Sequence, residues 1–91
     1  MQSKGIGAGD PLADDLRTQR AVLLHVLALD PTRLTLGEIA AQICEDPDDF
    51  AEGDAVARAV RDLAAAGLVR MDGAAVAPTL AALHFDRLSD V

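Results

Sequence analysis

Between Gly53 and Val76 the chain reads GDAVARAVRDLAAAGLVRMDGAAV, and few folds accommodate such a run. Val56, Val60 and Leu63 recur at helical spacing, with Asp54 as a candidate N-cap and Gly67 as a candidate C′ residue. The spacing and caps together predict a helix over residues 54–66. Arg58, Arg61 and Ala65 fall on the face opposite the apolar stripe, flanked by Asp54 and Asp62. Soon after the glycine stop comes Asp72-Gly73, the dipeptide of a type I′ two-residue hairpin. A turn there sets Met71 against Ala74 and Val69 against Val76, with Arg70 and Ala75 on the other face. A helix that halts at glycine and feeds a tight hairpin needs further elements to cover its stripe.

The preceding residues supply two of them. A first helix is expected from Pro11, with Asp10 as N-cap, to Leu29, where Asp30-Pro31 stops it. In its second half Val22, Leu23, Leu24, Val26, Leu27 and Leu29 span roughly 220° of the circumference at 100° per residue. So wide an apolar arc demands cover on more than one side. Thr35-Leu36-Gly37-Glu38 spells a capping box, with Leu34 and Ile39 at the staple positions. The second helix follows, carrying Leu36, Ile39, Ala40 and Ile43 on one face. Arg33 to Thr35 offers a third strand for the edge of the hairpin.

Residues 45–54 hold six acids and no base. Asp46-Pro47 reads there as a cap and first helical residue, predicting a single turn that carries Phe50 inward. Thr79 is positioned to cap a last helix, Leu80 to Leu88, the natural cover for the second apolar face of the first helix.

Ninety-one residues make one domain, expected over residues 10–91, behind a flexible tail over residues 1–9. With two phenylalanines as its aromatics, the core is built of Ala, Leu and Val, which suits packed helices. A net charge of −7 means that the overall basicity of most nucleic-acid binders is absent. One cysteine, Cys44, forms no internal disulfide, and MQSKGIGAGD has no apolar core of a signal peptide, so a cytoplasmic chain without a membrane segment is expected.

Catalytic patterns are missing. The carboxylates cluster on loops, where little raises a pKa for acid–base work, and GIGAG follows no strand. No enzyme activity and no cofactor are expected. Phe50 stands where a calcium-binding loop after Asp46 and Asp48 needs a ligand, and His25 and His84 lack further partners, so no metal site is expected either.

The run Ala57 to Val69 resembles the recognition helix and first wing strand of bacterial winged helix-turn-helix regulators, and residues 34–43 (LTLGEIAAQI) resemble their second helix. The likeness covers residues 15–88 and extends to small stand-alone actinobacterial winged-helix proteins. It implies a mainly α fold with a small antiparallel β wing, and a regulator that binds double-stranded DNA as a homodimer, with the first helix as the candidate interface. Carried over, Arg58 and Arg61 enter the major groove and Arg70 on the wing contacts phosphate. The start of the second helix, capped by Thr35, clamps the backbone. Three features depart from the pattern: a minimal wing, Asp72 at its tip, and Asp54 opening the recognition helix beneath an acidic loop. They leave room for an alternative, a protein-interaction module that does not bind DNA and presents Asp46, Asp48, Asp49 and Glu52 to a basic partner.

Overall fold

The computed structural model of the chain describes residues 11–46 and 48–89. The expectations for the tail, Asp10 and Pro47 lie outside the described residues. Four helices and three short strands follow in the order α1 (Pro11–Leu29), β1 (Leu34–Thr35), α2 (Leu36–Ile43), α3 (Phe50–Ala65), β2 (Val69–Asp72), β3 (Ala75–Pro78) and α4 (Leu80–Ser89). The strands form one antiparallel sheet in the order β1-β3-β2, so Arg33-Leu34-Thr35 does contribute an edge strand, through Leu34 and Thr35. The chain is therefore mainly helical with a small antiparallel sheet, a layout compatible with a helical core carrying a wing.

One core joins these elements. Val22 and Val26 of α1, Leu34 of β1, Ile39 of α2, Val56, Ala59, Val60 and Leu63 of α3, and Val69 and Val76 of the hairpin are all buried. The capping box forms as expected: the Thr35 hydroxyl accepts from the Glu38 amide at 3.2 Å, and the Thr35 amide donates to the Glu38 carboxylate at 2.8 Å. Leu34 and Ile39, on either side of it, are both buried.

The glycine stop also behaves as expected. Gly67 has φ +80°, the Leu68 amide donates to the Leu63 carbonyl, and the Gly67 amide donates to the Ala64 carbonyl. These are the paired bonds of a Schellman motif, and they use the left-handed conformation that glycine adopts without strain. Thr79 then binds two helices together. Its hydroxyl donates to the Gly67 carbonyl at 2.7 Å and accepts from the Ala82 amide at 3.2 Å, tying the start of α4 to the end of α3.

Two expectations are corrected. The N-cap of α3 is Asp49 and not Asp54: its carboxylate accepts from the amides of Ala51 and Glu52 at 2.9 and 3.3 Å. The helix thus starts at Phe50, and no separate turn buries that side chain. Phe50 precedes Val56 by six residues, about 120° round the axis from the buried stripe, and is 86% exposed. The hairpin turn is the second correction. Asp72 pairs with Ala75 and Met71 with Val76, so Gly73-Ala74 makes the turn. Only Gly73 of this pair has positive φ, at +64°, the requirement of a II′ turn, whereas a I′ turn over Asp72-Gly73 needs positive φ at both. The pairing shifts by two residues, which preserves the side-chain faces. Val69, Met71 and Val76 still share one side and Arg70 and Ala75 the other.

Candidate nucleic-acid interface

Three arginines of the α3–wing segment were the expected contacts, and the structure separates them. Arg58 lies at the seam between α1 and α3, where its guanidinium donates to the Asp15 carboxylate at 3.3 Å. One turn further on, Gln19 donates to Asp62 at 3.3 Å across the same seam. Both residues of α1 escaped sequence reasoning, because each lies 43 positions from its partner. The i, i+4 spacing of Asp15 and Gln19, matching that of Arg58 and Asp62, is the signal that was there to read. A partly exposed ion pair of this kind is worth about 0–1 kcal/mol, so it restrains Arg58 weakly.

Arg61 lies about 60° round the axis from Arg58 and is exposed. Arg70 is exposed on β2, opposite Ala77 of β3. Among the described residues the ion pairs are Arg17–Asp14, Arg33–Asp72 and Arg58–Asp15. Arg61 and Arg70 are in none of them. The Arg33–Asp72 pair, at 3.8 Å, spans the sheet from the β1 edge to the end of β2. It sets a positive charge beside the acid at the wing, a compensation that sequence position alone did not reveal.

Thr35 is committed to its capping box. The Glu38 carboxylate returns to the Thr35 amide and adds negative charge at the N-terminus of α2, so this end of the helix is poorly suited to phosphate.

The acids named for a basic partner are largely turned to the chain's own backbone. Asp49 caps α3. Glu52 accepts from the amides of Glu45 and Asp46 at 3.4 and 3.2 Å, and Asp46 accepts from the Asp48 amide at 3.0 Å. Through Glu52 these bonds tie residues 45 and 46 back to the first turn of α3. Cys44 sits beside it. Partial burial, and after it the Glu52 and Asp49 carboxylates, push its thiol above the ordinary cysteine value.

His25 bonds through its Nε2 to the Gln42 side chain, linking α1 to α2, whereas His84 is exposed on α4. Among the described residues no three of His, Cys, Asp and Glu converge as metal ligands, and no helix is long and apolar enough to cross a membrane. No family model matches the chain, and no curated protein or solved structure matches it.

Proposed function

We propose that the chain is a winged helix-turn-helix protein of the cytoplasm that binds double-stranded DNA in transcriptional control, with α3 in the major groove and the β2–β3 hairpin against the backbone. The observation that carries this reading is the pair Arg61 and Arg70, both exposed and outside every ion pair among the described residues. They follow one another along the segment that resembles a recognition helix and wing. Arg61 is the groove contact, since an arginine fork reads the guanine edge, and Arg70 holds phosphate. Arg58 is a reserve cation, available once it leaves Asp15. No catalytic role is assigned to any residue.

The acidic body limits non-specific affinity, and salt weakens binding in proportion to the few phosphates neutralised. The competing protein-docking reading draws less support, since Asp46, Asp49 and Glu52 are engaged by backbone amides. The test is fluorescence anisotropy of labelled duplex DNA with wild type, Arg61→Ala and Arg70→Ala. Binding that each substitution weakens supports the reading; binding indifferent to both rejects the assignment of these two residues.

A further inference from the structure

With Asp49 as the cap of α3, Asp54 is left without a structural task. The arginine one turn further on, Arg58, is drawn to Asp15 of α1, so the local Asp54–Arg58 pair does not form. Among the described residues the Asp54 carboxylate enters no ion pair and accepts no side-chain or capping hydrogen bond. Its place on the helix is nonetheless a particular one. The buried stripe of α3 is Val56, Ala59, Val60 and Leu63. Asp54 and Arg61 stand opposite that stripe to within about 30°, and about 10 Å apart along the axis. Both are exposed. The outermost line of α3 thus carries an acid and an arginine, each outside every ion pair among the described residues.

We infer that Asp54 is a base-reading residue: its carboxylate accepts from the N4 amine of a cytosine about three base pairs from the guanine taken by Arg61. The inference rests on the DNA-binding reading proposed above and names the kind of site that reading selects. The separation follows from the helix, since about 10 Å spans three nucleotides at roughly 3.4 Å each along a strand.

The choice of base follows from what a carboxylate can do. Ionised, it only accepts hydrogen bonds. In the major groove guanine presents N7 and O6 and thymine presents O4, all acceptors that repel it. Adenine has an amine, but with the N7 acceptor beside it on the same edge. Cytosine alone offers an amine with no acceptor on its own edge. An acid on this line therefore disfavours nearly every sequence and is compensated at one base. Arg61 supplies attraction to guanine, and Asp54 supplies rejection of the alternatives, so the pair selects a G·C-containing site.

The test is selection from a randomised duplex pool by wild type, Asp54→Ala, Asp54→Asn and Arg61→Ala, followed by anisotropy on the recovered duplexes. Wild type should enrich cytosine at one position, and replacing that C·G pair by T·A should weaken binding about tenfold. Asp54→Ala should abolish the preference at that position alone and keep the guanine preference that Arg61→Ala removes. Asp54→Asn should move the preference from cytosine to adenine, the base that an asparagine fork reads. All variants should retain the wild-type far-UV circular dichroism spectrum, because both positions are exposed and neither caps the helix. A wild type without the cytosine preference overturns the inference. So does a uniform gain in affinity in Asp54→Ala with every base preference unchanged, which makes the acid a bystander charge. Either result leaves DNA binding through Arg61 and Arg70 standing, whereas failure of all four chains to enrich any duplex overturns both.

Discussion

Asp15 holds Arg58 against α1, so neutralising that single acid redistributes charge on α3 without touching an arginine. Asp15→Asn should raise low-salt affinity for duplex DNA several-fold. It should also steepen the slope of log K against log salt by about 0.9, the contribution of one further phosphate contact. An unchanged slope would show that Arg58 does not reach the backbone even when released. Cys44 makes a different prediction at the same scale. Its thiol is raised by burial and by the nearby Glu52 and Asp49 carboxylates, so less of the nucleophilic thiolate exists near pH 8 in the folded chain than in the unfolded one. Alkylation by iodoacetamide should accordingly run several-fold faster in denaturing urea. The sign for stability follows: a folded-state pKa above the unfolded value favours the native state below the ordinary thiol pKa, and that contribution fades as pH rises through the folded value.

At the scale of elements, short-range chemistry was legible and competition between equivalent signals was not. The capping box at Thr35, the Gly67 stop and the Thr79 cap each depend on residues within a few positions of one another, and each forms as expected. The start of α3 was misplaced because Asp46, Asp49 and Asp54 are all competent caps in one acidic run. In the structure Asp49 is the cap, and Glu52 in the first turn accepts from the amides of residues 45 and 46. Likewise Asp72-Gly73 and Gly73-Ala74 are both acceptable two-residue turns, and the pairing of β3 with β1 as well as β2 accompanies the second. Of the proposed DNA contacts, Arg61 and Arg70 were legible as exposed cations. The withdrawal of Arg58 was not, because its partner is 43 positions away. The corrected cap yields a stability prediction. Asp49→Ala should lower the free energy of unfolding in urea by about 1 kcal/mol, as loss of an N-cap does. Asp54→Ala, inside the helix and exposed, should change it by less than about 0.5 kcal/mol. Equal losses at the two positions would return the helix start to Asp54.

For the molecule as a whole, the decisive tension is between a body of net charge −7 and a proposed recognition segment in which Arg61 and Arg70 stand outside the ion pairs among the described residues. Acids dominate residues 45–54, where Asp46, Asp49 and Glu52 serve backbone amides. The most direct measurement is therefore the affinity for generic duplex DNA followed by anisotropy from low to moderate salt. On generic duplex, where Arg61 meets phosphate in place of a guanine edge, two phosphate-neutralising arginines per subunit predict a slope of log K against log salt near −1.8 per subunit, with dissociation constants of about 10⁻⁴–10⁻⁶ M. Arg61→Ala and Arg70→Ala should each reduce the magnitude of that slope by about 0.9 per subunit. Absence of binding at the lowest salt, or binding with a slope near zero, would contradict the DNA-binding account.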